Sequence, residues 1–254
     1  MDLSVTGAKV FFSINIFGLK IDITQTTVSL RAVTLILTVA AFFLGRNLKK
    51  RPGKLQVVTE KLVTMLYGMV EDTMGKHNLH FAPYIGALFL SSIMGSLIGM
   101  TQIFRSTTAD LSVTLAWALV TSVMVWYQNI KNNGFLGWLK GFTEPIVVMT
   151  PMNIVSEIAQ PIALAFRHFG NVAGGGVLTS LIYAALAALS NLIFGGISGL
   201  IGQIPFMQVG IPAVLSIYFD LFSGFVQALV FCLLTMVYVG TANPPPAEAK
   251  TEEK

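Results

Sequence analysis

The sequence predicts an all-α integral membrane protein. It has about five transmembrane helices plus one amphipathic interfacial helix, and the last two spans are long, strongly tilted and paired as a hairpin. Three observations carry this. Of 254 residues, 54% are hydrophobic and only 11% charged, against roughly 25% charged in soluble domains. Several apolar runs approach or exceed the ~20 residues that cross a hydrocarbon layer of about 30 Å. The basic residues gather between those runs, as the positive-inside rule expects, so the net charge of +4 is no nucleic-acid signal. The single cysteine, Cys232, excludes an internal disulfide framework and a cysteine-based metal site.

Met1–Ile23 carries Lys9, Lys20 and Asp22 and lacks the basic start and apolar core of a cleavable signal. Within it, residues 10–23 are rich in β-branched and aromatic residues and broken at Gly18, which suits an extended or interfacial arm. We divide the chain into an extracytoplasmic arm (1–26), a membrane domain (27–241) and a flexible tail (242–254). The first span is Thr27–Leu44. Arg46, Lys49, Lys50, Arg51 and Lys54 follow without an acid and place that loop in the cytoplasm. Over residues 55–76, Leu55, Val58, Leu62, Met65 and Met69 recur at helical spacing among Glu60, Lys61, Glu71 and Asp72. That pattern makes an amphipathic helix on the cytoplasmic side rather than a span.

Phe81–Ile103 and Leu111–Ile130 are the next spans. Lys131 and Lys140 mark the following loop as cytoplasmic, so the N-terminus lies outside and the C-terminus inside. Pro145–Phe194 is about fifty residues long and would run about 75 Å as one helix. It is either two spans in a tight hairpin or one strongly tilted helix, with Pro151 and Pro161 as interruptions. Residues 195–210, glycine-rich and uncharged, suit an outer loop. Ile211–Tyr238 is the last span, longer than a vertical crossing needs.

Chemistry concentrates in these last segments. From Gly141 to Asn243 the only residues of the Asp, Glu, Lys and Arg types are Glu144, Glu157, Arg167 and Asp220. An arginine at membrane depth costs at least ~2.5–3.5 kcal/mol and keeps its charge. Such a fixed cation, with isolated carboxylates elsewhere in the apolar region, points to ion movement. Arg167 and Asn171 share a helix face, and Gly174–Gly176 follow with no bulk, so another helix can approach closely there. Asp220 and Gln227, two turns apart with Gly224 between them, form a polar stripe on the last segment.

The run FRHFGN resembles the Arg-x-Phe-Gly-Asn signature of subunit a of F-type ATP synthases. Gln227-Ala-Leu-Val-Phe231 is similar to that family's last-helix motif, and Thr108-Ala-Asp110-Leu-Ser-Val-Thr114 to its Thr-Ala-Asp-Leu-Asn-Val-Thr loop. The resemblance covers about residues 17–241. Departures are Ser112 for the usual asparagine, His168 at a usually apolar position, and Asp220 where other members carry histidine or glutamate. The resemblance implies a stator ion channel with no nucleotide site, metal or cofactor of its own. Two aqueous half-channels would deliver protons to and from the carboxylates of a rotating c-ring. Arg167 would bar direct leakage, and Glu157, Asp220, Asn171 and Gln227 would serve the ion pathway. The implied partners are the c-ring, the peripheral-stalk subunit b, the remaining F0F1 subunits and the bilayer, with no nucleic acid. The basic loop and absence of a transit peptide suit a bacterial inner membrane.

Other roles compete at each position. Arg167 paired with Glu157 would merely fix packing, but ten residues place the two about 15 Å apart along one helix. Glu157 and Asp220 can also be neutral, hydrogen-bonded acids. Asn171 can bond a neighbouring helix. Asp110 is a pathway group or, preferably, a helix cap. His168 is a pathway group or a satisfied core histidine. A different class altogether is a stand-alone channel or secondary transporter using Arg167 as an anion site. It predicts an internal repeat or broken helices converging on Arg167, and the sequence shows no strong repeat.

Overall fold

The computed structural model describes residues 9–16, 19–46, 48–101, 104–144, 146–194 and 217–245. The arm forms an antiparallel hairpin of β1 (Val10–Ile16) and β2 (Leu19–Thr24). α1 (Gln25–Arg46) follows directly, with Thr24 Oγ1 accepting from the Thr27 amide at 3.4 Å as an N-cap does. Inside α1 the Thr34 and Thr38 hydroxyls donate back to the Leu30 and Thr34 carbonyls at 2.9 and 2.7 Å. No polar atom of theirs then faces lipid unpaired. Leu35, Val39, Phe42 and Phe43 stay exposed, as suits a helix surrounded by acyl chains.

α2 (Lys54–Met74) is the amphipathic helix. Val70 and Met74 enter the core, while Leu55, Val58, Leu62 and Met65 remain exposed, so most of its apolar stripe is left for the bilayer interface or a partner. Gly75, at φ +82°, ends it by donating to the Glu71 carbonyl at 2.9 Å. A 3₁₀ turn leads into α3 (Ala82–Met100), which carries Pro83 in its first turn, where a missing N–H costs nothing.

α4 (Leu111–Gly141) outruns the expected third span. Gly134, at φ +71°, breaks it, and residues 135–141 form a separate short helical piece. Phe135 and Trp138 on that piece and Phe142 just past it meet ring to ring near Lys131 and Lys140, the composition of a membrane-interface anchor.

α5 (Thr150–Phe194) is one continuous helix of 45 residues, about 67 Å long. This settles the open choice: there is no hairpin within 150–194, and Pro161 sits inside the helix without ending it. A π-helical turn (Ile217–Ser223) then leads into α6 (Gly224–Ala242). The expected outer loop at 195–210, the start of the last span and tail residues 246–254 lie outside the described residues. Five segments of the described chain are long and apolar enough to cross a membrane, which makes this an all-α multi-pass protein with a minimal sheet.

The core lies where α2, α3, α4, α5 and α6 meet, with Ile85, Ala118, Leu164, Ala165, Phe231 and Met236 at its centre. An asparagine clasp closes one end. Asn243 Nδ2 donates to Asn78 Oδ1 at 2.6 Å, and Asn132 Nδ2 donates to Asn243 Oδ1 at 2.9 Å, tying the end of α6 to the 3₁₀ turn before α3 and to α4. At the other end, the loop before α4 packs on α3 through glycine. A Cβ on Gly95 would fall 2.1 Å from Thr107 Oγ1. We therefore expect Gly95→Ala to destabilise by about 1–3 kcal/mol, read as a lower melting temperature of the detergent-solubilised protein. Gly45→Ala, whose Cβ meets nothing within 4 Å, should leave it unchanged.

Candidate ion-translocation site

α5 and α6 run antiparallel, and their polar residues meet. Asn171 Nδ2 donates to Gln227 Oε1 at 3.4 Å, and Ser223 Oγ donates to Asn171 Oδ1 at 2.8 Å. One asparagine thus bridges two residues of the last segment that stand a helical turn apart. Gln227 is 6% exposed, and its Nε2 has no partner among the described residues.

Arg167 points the other way. It is exposed, and among the described residues it makes no hydrogen bond or ion pair. Its face of α5 is built from small residues. Ala163 lies four residues before it, and Gly170 and Gly174 three and seven after. A Cβ at either glycine would meet nothing within 4 Å. The guanidinium therefore stands on a shallow strip that a second helix can approach closely.

The two acidic positions lie on either side of Arg167 along the helix pair. Glu157, half-buried on α5, accepts a hydrogen bond from Trp126 Nε1 of α4. It lines a tight cleft with Thr121, Ser122, Gln160 and Tyr238, and also a cavity of about 410 Å³ at the α4–α5 elbow beside Trp138 and Phe142. Tyr238 belongs to the far end of α6, so Glu157 lies at the clasp end of the bundle. Asp220 belongs to the π-helical turn, three residues before Ser223, on the other side of the Asn171–Gln227 contact. π turns recur at functional sites because they widen the helix locally.

Asp110 acts as the N-cap of α4, accepting from the Ser112 amide at 3.0 Å. His168 is fully buried. Ser92 Oγ lies 3.1 Å from its Nε2, while Nδ1 has no partner among the described residues.

Trp126, Ser223 and Ser92 enter the site without having been singled out from the sequence. Ser223 was within reach, since Asp220, Ser223 and Gln227 step along one face at helical spacing. A tryptophan within an apolar span also signals an indole N–H in need of an acceptor. The pairing of Trp126 with Glu157, across 31 positions of chain, is tertiary information.

Fold and site together define a multi-pass helical membrane protein that presents an arginine, without a partner among the described residues, on a small-residue face of a very long helix. Residues 26–240 match the family described as ATP synthase A chain, and the chain belongs to that family. It is 33% identical over 223 residues to ATP synthase subunit a 1 of Crocosphaera subtropica, covering 87% of each chain. It is 31% identical over 238 residues to ATP synthase subunit a of Bacillus velezensis, covering 89% of this chain and 94% of that one. It is also 31% identical over 232 residues to "ATP synthase subunit a, sodium ion specific" of Propionigenium modestum, covering 85% of this chain and 73% of that protein. Subunit a is a non-catalytic component of the F0 membrane sector, and this chain is such a component of an F0F1 complex.

Proposed function

We propose that this chain is the stator of a rotary ATP synthase, and that Arg167 faces the membrane carboxylates of a rotating c-ring. The observation that carries it is the exposed arginine on the Ala163–Gly170–Gly174 strip, a charge with no partner in its own described chain. A lone cation at that depth needs an anionic counterpart from another subunit. A rotor carboxylate facing lipid is stable when protonated. Opposite a guanidinium its ionised form is favoured, so it gives up its proton there and cannot carry one straight past.

Protons enter and leave by two routes displaced along α5. One follows Asp220, Ser223, Asn171 and Gln227. The other follows Glu157, Trp126 and the elbow cavity at the opposite end. The routes are separate because Glu157 and position 220 lie on opposite sides of Arg167 along the helix pair. Asp110, as a helix cap, has no part in either route. With the basic loop after α1 on the cytoplasmic side, the Asp220 route opens outside and the Glu157 route inside, in a bacterial plasma membrane. Each charge crossing 100 mV releases about 2.3 kcal/mol, which rotation delivers to the soluble sector. Subunit b holds the chain fixed against that torque.

A transporter using Arg167 as an anion site expects broken helices converging there, whereas α5 runs unbroken through Arg167. ATP-driven proton pumping by the complex carrying Arg167→Ala tests the stator role.

A further inference from the structure

The stator role leaves His168 unused. Its ring is 0% exposed and enclosed by three helices. α3 contributes Ser92 at 3.1 Å from Nε2. α4 contributes Trp117 and α6 Phe231, with ring centroids 6.2 and 5.4 Å away. The Gln227 main chain also faces the ring. Nδ1 and the Gln227 side-chain Nε2, one turn from Phe231, are both buried and without partners among the described residues. A buried polar atom left unpaired costs about 1–3 kcal/mol. For packing alone, an apolar side chain would serve better.

On its Ser92 side a line of hydroxyls leads to the α3–α4 loop. Ser106 Oγ and Thr108 Oγ1 are 3.0 Å apart, as are Thr108 Oγ1 and Ser96 Oγ, and Ser96 Oγ donates to the Ser92 carbonyl at 3.1 Å. Ser96 and Ser92 stand one helical turn apart on the same face of α3. That loop lies at the Asp220 end of the bundle.

We propose that His168 is a proton-relay residue on the Asp220-side route, fed through Ser106, Thr108, Ser96 and Ser92 and discharging beside Gln227 and Asn171. One proton enters at Nε2 and one leaves from Nδ1 to a water bound to the Gln227 amide, with no net change of charge. The groups around the ring leave Arg167, its neighbour in sequence, as the nearest fixed charge. α3 and α6 contain no Asp, Glu, Lys or Arg, and those of α4, Lys131 and Lys140, lie at its far end.

The inference rests on the stator role, and its test keeps the two apart. Passive proton conduction is measured in vesicles carrying the whole complex stripped of its soluble sector. The variants are His168→Gln and Ser92→Ala, with Arg167→Ala assayed alongside for ATP-driven pumping before stripping. Glutamine still bonds Ser92 but cannot relay a proton. We expect His168→Gln to lower conduction at least roughly tenfold, and Ser92→Ala to lower it several-fold. Wild-type conduction in either variant overturns the relay. So does a wild-type complex that passes sodium ions and no protons. Normal pumping by Arg167→Ala sinks the stator role instead.

Discussion

Replacing Arg167 with alanine is expected to abolish ATP-driven acidification of inverted membrane vesicles while leaving the subunit folded and assembled. The fold should survive because the side chain is exposed and makes no bond among the described residues. The coupling should not. At about 4 Å and an effective dielectric near 20, opposite unit charges attract by about 4 kcal/mol, roughly a thousandfold in the balance between ionised and protonated rotor carboxylate. Without the guanidinium a protonated carboxylate passes the stator face unchanged, and the two routes are no longer separated. Arg167→Lys should fail as well, because a compact, strongly hydrated ammonium lacks the planar fork that grips a carboxylate. Acidification at the wild-type rate in either variant, with subunit content matched, would refute the assignment.

Gly170→Leu is the second change with a large expected effect, and it separates fold from function in the same way. Gly170 lies one turn beyond Arg167 on the exposed strip, and nothing lies within 4 Å of a Cβ there. A Cβ there therefore meets no clash, and leucine favours helix over glycine. It should nevertheless hold an approaching rotor helix several ångströms from the guanidinium, since close helix contact depends on small residues. We expect unchanged thermal stability of the solubilised subunit together with proton pumping reduced at least roughly tenfold. Unchanged pumping would mean that this strip faces lipid.

Much of this was legible in the amino-acid order because the bilayer enforces simple rules. The α1 span, the amphipathic stripe of α2 and the interfacial lysines of α4 follow from length, period and charge. The capping role of Asp110 follows from its place before an apolar run. The polar character of Asn171 and Gln227 on apolar helices was legible, and the structure brings the two together, while Arg167, one turn before Asn171, points the other way. What stayed hidden was tertiary. Nothing local decides whether Pro161 ends a helix or sits within one, because neighbouring helices can resatisfy the freed backbone. Gly134 breaks α4 after the polar run Lys131-Asn132-Asn133, and helix resumes at once with Phe135. The placement of the two acids at opposite ends of the site depends on how α5 and α6 pair, and the bond from Ser92 to His168 joins residues 76 positions apart.

The most direct measurement is proximity between Arg167 and the rotor. Gly170→Cys introduces an exposed thiol, while the native Cys232 is buried and unreactive. Paired with a cysteine placed beside the membrane carboxylate of the c subunit in the assembled complex, it should form a disulfide on mild oxidation, and that disulfide should stop rotation until it is reduced. If the rotor cysteine pairs with one introduced at Leu35 on α1 and not with Gly170→Cys, Arg167 does not face the moving carboxylate and the account is wrong.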